Sequence, residues 1–220
     1  MSDLLPAAVL WDMDGTLVDT EPYWIACEYD LVADHGGTWS DEHAHALVGN
    51  DLLVSARYIA EKGPVALAPE VIVERLLDGV VARVREHVPW RPGARELLAS
   101  LAAEKVPCAL VTMSWTRLAE AVLGTLPAGT FGAVVTGDQV RRGKPHPEPY
   151  LEAARRLSRA PGDCVAIEDS PTGIASAAAA GIPVIGVQHL VPLAGRTGGP
   201  IVTSLEGLSP FDLVALTRST

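Results

Sequence analysis

Five short apolar runs, separated by stretches of helical periodicity, restrict this sequence more than any other feature. They are AAVLW at 7–11, VPCALVT at 106–112, GAVVT at 132–136, CVAIE at 164–168 and PVIGV at 183–187. None alternates apolar with polar residues, as a half-exposed strand would. Continuously apolar strands are those covered on both faces. Leu97, Leu98, Leu101 and Ala102 form an apolar stripe before the second run, and Leu118, Ala119, Val122 and Leu123 form another after it. Leu151, Ala154 and Leu157 recur at helical spacing before the fourth. The stretch GIASAAAAG at 173–181 is alanine-rich and stops at glycine, so a helix there can lie close against a sheet. Strands alternating with helices predict an α/β fold with a mostly parallel sheet.

The segment from about 24 to 85 breaks the alternation. It carries long helical patterns and little strand signal: Tyr23, Cys27 and Leu31 share one face, Val54, Tyr58 and Ile59 another, and Ile72, Leu76, Val80 and Val84 a third. Pro64, Pro69, Pro89 and Pro92 punctuate it. The expected organisation is a sheet domain formed by 1–17 and 89–220, with a helical domain, 18–88, inserted after the first strand.

A formal charge of −10 and a pI near 5.0 argue against a nucleic-acid or anionic-membrane surface. Cys27, Cys108 and Cys164 are far apart, with no CxxC pair, and read as buried thiols of a reducing compartment. The N-terminus has no basic stretch of a signal peptide, and no apolar run is long enough to span a bilayer. The expectation is a cytoplasmic protein. With no conspicuous apolar outer helix face, a monomer is expected.

In a parallel α/β domain, ligands sit beyond the C-terminal strand ends, where helix N-termini point. Asp12 falls at such an end, and Asp14 follows where the chain leaves the sheet. Gly15 permits the tight turn. Thr112 and Ser114 follow the second strand, Lys144 the third, and Glu168 and Asp169 close the fourth. Acids, hydroxyls and a lysine are thus expected on one edge. Clustered carboxylates repel unless a cation joins them, and hard oxygen ligands suit Mg²⁺, which also binds substrate phosphate. Thr112 and Lys144 can hold phosphoryl oxygens, and a carboxylate can serve as nucleophile. Phosphoryl transfer is the chemistry this set points to.

The segment DMDGTLVDTEP resembles the first motif of the haloacid dehalogenase-like hydrolases. VTMS, GKPHPEPY and IEDSPTGIASAAAAGIPVIGV resemble the second, third and fourth, in order. The likeness extends over nearly the whole chain and is strongest to the subgroup of small phosphatases and β-phosphoglucomutase-like enzymes. It implies a Rossmann-like core with a helical cap between the first and second motifs. It also implies that Asp12 attacks phosphorus, and that Asp14 protonates the leaving oxygen and then activates water. Asp12, the Asp14 carbonyl and Asp169 would hold Mg²⁺, with Glu168 acting through water or positioning the loop. Asp12, Gly15, Thr112, Met113 and Lys144 would form the phosphate-binding set.

The cap turn ALVGNDLLVSA at 46–56 lacks the lysine before and the arginine after its glycine that mark the sugar-phosphate mutases. This disfavours a β-phosphoglucomutase-like mutase and favours a small phosphorylated metabolite with a neutral polar leaving group, such as a sugar or polyol monophosphate. Glu21, Asn50 and Asp51 are candidates for its hydroxyls and Arg117 for the mouth of the site. Trp115 is a candidate apolar wall or a packing residue. The retained acids argue against a dehalogenase, and Lys62 is misplaced for a phosphonatase. A binding protein for phosphorylated metabolites is the non-enzymatic alternative. The cap is expected to open and close about hinges near 17–21 and 88–92.

Overall fold

The computed structural model describes residues 4–48, 50–193 and 199–218. Strand β1 (Ala8–Trp11) is followed by four helices in succession: α1 (Glu21–Asp34), α2 (Asp41–His45), α3 (Leu52–Lys62) and α4 (Pro69–Glu86). Regular alternation then resumes with α5 (Ala94–Ala103), β2 (Cys108–Val111), α6 (Thr116–Leu123), β3 (Ala133–Val135), α7 (Glu148–Arg156), β4 (Cys164–Glu168), α8 (Pro171–Ala179) and β5 (Val184–Val187). A short β6 (Ile201–Val202) and α9 (Pro210–Arg218) complete the described chain.

The strands form one parallel sheet in the order β3-β2-β1-β4-β5-β6. Its centre shows why the strands read as continuous apolar runs. Val9 and Trp11 pack on one face with Leu110, Ile167, Leu97, Leu118 and Leu213. Ala8 and Leu10 pack on the other with Ala109, Val111, Ala166, Tyr150 and Ile174. Successive side chains point to opposite faces, and both faces are covered. Because β2 and β4 flank β1, chain direction across the sheet reverses there. That places the crevice expected to bind ligands at the ends of β1 and β4.

The inserted helices pack on one another through the stripe of α4, where Ile72, Leu76, Val80 and Val84 are buried, each worth roughly 1.5–3 kcal/mol of burial. Helix α4 also rests on α6. The two connecting segments lie side by side: Asp19 N donates to Pro89 O at 2.7 Å, Arg91 N to Leu17 O at 3.0 Å, and Val18 bridges Trp90.

Four details depart from the sequence expectation. The edge strand β6 is additional. Leu151 is exposed on α7, whose inner positions are taken by Tyr150, Ala153 and Ala154. Val54 is exposed while its neighbour Ile59 is buried, and Ala102 faces solvent at the end of α5. The three cysteines are buried free thiols, as expected. Among the described residues no helix is long and apolar enough to cross a membrane.

Candidate active site

Asp12 and Asp14 leave the end of β1, Thr112 and Ser114 leave β2, and Glu168 and Asp169 leave β4. Lys144 reaches them from the loop before α7. The residues predicted at one sheet edge therefore meet, around a cavity of about 300 Å³.

Lys144 is the hub. Its side chain is 4% exposed, and Nζ donates to Asp12 Oδ1 at 2.6 Å, to Glu168 Oε1 at 2.6 Å and to the Val111 carbonyl at 2.8 Å. Burial opposes its charge, but Asp12 and Glu168 outweigh it and hold the ammonium above the usual lysine range. Glu168 is fully buried. Tyr150 Oη donates to Oε1 at 2.9 Å, and Ser170 donates to Oε2 from N (3.2 Å) and Oγ (3.0 Å). Ser170 Oγ also accepts from Gly173 N at 3.0 Å, capping α8. The N-cap of one helix thus fixes the acid that fixes the lysine.

Asp14 is held differently. Its Oδ2 accepts from Thr112 Oγ1 at 3.1 Å and Ser114 Oγ at 2.7 Å, and its Oδ1 accepts from Thr20 Oγ1. Thr20 immediately precedes α1, so Asp14 is tied to the entrance of the inserted helices. Gly15 has φ +89, and a Cβ there would overlap the Asp169 carboxylate, with Cγ 2.6 Å away. Only glycine meets both conditions.

Asp12, Glu168 and Asp169 offer oxygens that lie within 4.8 Å of one another. Among the described residues Lys144 is the sole basic side chain on them, Asp12 Oδ2 is buried without a hydrogen-bond donor, and Asp169 receives only Thr16 Oγ1 at 3.3 Å. Burial, reinforced by Glu168, pushes Asp12 up to about 7. Burial, with Asp12 and Glu168, raises Asp169 well above the carboxylate range. Excess negative charge, an orphaned carboxylate oxygen and hard oxygen donors fit a divalent cation.

Met113 lines the cavity, and its Sδ accepts from Lys144 N at 3.2 Å. Of the candidate specificity residues, Glu21 and Asn50 line the cavity, and Asp51, Trp115 and Arg117 do not. Asp51 caps α3, accepting from Leu53 N at 3.0 Å and Val54 N at 3.2 Å. Trp115 packs against the core. Arg117 turns to α4, pairing with Glu74 at 2.7 Å and with Asp78. Gly49 of the cap turn lies outside the described residues.

Several residues at the site were not singled out from sequence. Ser55, Trp24, Glu28 and His189 line the cavity, and Thr16, Thr20 and Tyr150 support the acids. His189 Nε2 lies 3.2 Å from Asp19 Oδ1. Among the described lining residues Lys144 is the one lysine or arginine.

A family model described as haloacid dehalogenase-like hydrolase matches residues 9–187. Hexitol phosphatase A of Escherichia coli K12 is 35% identical over 182 residues, spanning 81% of this chain and 82% of that protein. The phosphorylated carbohydrates phosphatase of Thermotoga maritima is 31% identical over 184 residues, spanning 83% and 85%. The crystal structure of CbbY from Rhodobacter sphaeroides in complex with phosphate matches with a TM-score of 0.83 at 28% identity, over 95% of this chain and 100% of that one.

Proposed function

This chain belongs to the haloacid dehalogenase-like hydrolases, and we propose on that footing that it is a Mg²⁺-dependent phosphatase. It hydrolyses a small phosphomonoester of a sugar, polyol or similar alcohol, with the phosphoryl group carried transiently on Asp12. The observation that carries this reading is the asymmetry of Asp12. Oδ1 is pinned by Lys144 at 2.6 Å, while Oδ2 has no donor among the described residues. One oxygen is oriented by the lysine and the other is left open to a cation, the combination a metal-assisted carboxylate nucleophile needs.

Asp12 and Asp169, with Glu168 close by, would hold the cation, which supplies charge neutralisation for the phosphoryl oxygens when bound. Asp12 forms a bond to phosphorus as the ester oxygen leaves with a proton from Asp14. Water then attacks phosphorus, Asp14 accepts its proton, and the Asp12 carboxylate is released with inorganic phosphate. Lys144 offsets the charge that builds on the transferred group, and Thr112 orients both Asp14 and the phosphate. Residues 18–88 act as a cap, with Thr20 coupling its position to Asp14, and its closure excludes bulk water. The absence of any other lysine or arginine among the described lining residues favours a monophosphate over a bisphosphate.

The test is phosphate release from a panel of phosphomonoesters, with Mg²⁺ and with EDTA, beside Asp12→Asn. Metal-dependent release abolished by the substitution is expected. Isomerisation of β-glucose 1-phosphate without release would instead favour the mutase, and silence in both assays the binding protein.

A further inference from the structure

Helix α1 presents Glu21, Trp24 and Glu28 to the cavity, an i, i+3, i+7 stripe along one face. Glu21 lies close enough to Asp14 and Asp19 for their charges to reinforce burial in raising it to about 7. Glu28 stands two turns further on, about 10 Å along the helix axis. The stripe therefore runs away from the phosphate end of the cavity.

Glu28 is 4% exposed, an unusual position for an acid without a basic partner. Its Oε2 accepts from Trp39 Nε1 at 3.2 Å. Trp39 is itself fixed, stacked on His43 at 4.8 Å between centroids and edge-on to Tyr58 at 6.2 Å. Among the described residues Trp39 is the one hydrogen-bond partner of the Glu28 carboxyl, and Oε1 receives none. Burial, with Glu21 adding to it and Trp39 opposing, raises the carboxyl to about 8. A neutral carboxylic acid both donates and accepts, which matches a hydroxyl. An anionic group there would meet two acids and, among the described lining residues of α1, no lysine or arginine.

We propose that Glu28 is a specificity-determining residue, its carboxyl hydrogen-bonding a hydroxyl of the leaving group two helical turns from the phosphate. The enzyme then selects hydroxylated esters long enough to reach it. This rests on the phosphatase reading above. A side chain that only anchored Trp39 would affect every substrate alike, whereas a contact to a remote hydroxyl affects only substrates that carry one.

The experiment compares kcat/KM for sorbitol 6-phosphate and glycerol 3-phosphate in wild type, Glu28→Ala and Glu28→Gln. Loss of one hydrogen bond from a desolvated site predicts that Glu28→Ala lowers the ratio about tenfold. Glu28→Gln, which keeps a donor and an acceptor, restores most of it. Equal losses for both esters, or an unchanged ratio, would overturn the proposal. Should Glu28→Ala fail to fold, Glu28→Met, which keeps the bulk and removes both carboxyl oxygens, decides instead. The same roughly tenfold fall in the ratio is expected, and an unchanged ratio would overturn the assignment. No phosphate release by wild type from any ester would defeat the phosphatase reading and this one with it. Release with an unchanged ratio defeats this one alone.

Discussion

Gly173→Ala places helix propensity against the geometry of the site. Gly173 is the third residue of α8, its backbone lies outside the left-handed region, and alanine would improve the helix by up to about 1 kcal/mol. Yet a Cβ there would overlap Oε1, Cδ and Oε2 of Glu168, all far inside the 3.0 Å that real Cβ contacts essentially never breach. Glu168 cannot withdraw freely, since Lys144 and Tyr150 hold one oxygen and Ser170 the other. Displacing it breaks a buried ion pair, which costs about 3–5 kcal/mol when one partner is lost. The net expectation is a loss of about 2–4 kcal/mol after the helical gain. For a chain of this size that is a fall in Tm on the order of 10 °C. Movement of Lys144 by even about 1 Å would lower kcat roughly 100-fold. Thermal unfolding followed by circular dichroism, with phosphate release as the second readout, measures both. Adding Glu168→Asp makes room by one methylene and should recover part of each loss, a coupling of about 0.5–3 kcal/mol. A Gly173→Ala variant that melts at or above wild type with normal kcat would refute the claim that the α8 cap positions Lys144.

Other perturbations probe separate parts of the account. Gly15→Ala meets both a positive φ and the Asp169 carboxylate, so isothermal titration should show Mg²⁺ affinity weakened and kcat reduced together. If Mg²⁺ binds the variant as tightly as wild type, Gly15 is not what lets Asp169 approach. Glu28, raised from 4.5 to about 8, binds more protons folded than unfolded between those values. It therefore subtracts stability as pH rises through that window. In EDTA, wild type should lose a few kcal/mol relative to Glu28→Gln between pH 4.5 and 8.5, and parallel urea-denaturation curves would contradict the burial argument. Arg117→Ala removes exposed ion pairs from α6 to α4. It should cost less than about 1 kcal/mol, shrinking further in high salt, with substrate KM unmoved. A raised KM would return Arg117 to the site.

What the sequence revealed follows from how local each signal is. Strands β1 to β5 were legible because burial on both faces leaves continuous apolar runs. Strand β6 was not, because it is two residues long and partly exposed, too short to leave an apolar run. Asp12, Asp14, Thr112, Lys144, Glu168 and Asp169 were legible because the ends of neighbouring parallel strands converge wherever the sheet forms. Arg117 was misplaced because the direction of a long side chain on α6 depends on α4 packing beside it, a contact between residues about forty positions apart. Asp51 was taken for a binding residue although an acid just before an apolar helical run is equally an N-cap. Glu28 was not singled out, and its spacing of seven from Glu21, with Trp24 between, was the available clue.

The most direct test of the central claim is a single-turnover reaction of wild type with substrate and Mg²⁺, quenched in acid, with the phosphoryl adduct located by peptide mass mapping. The account predicts an acid-stable phosphoryl group on the peptide containing Asp12, forming and decaying at rates compatible with turnover and absent from Asp12→Asn. Phosphate released at the same rate with no adduct on Asp12, or an adduct on another residue, would contradict it.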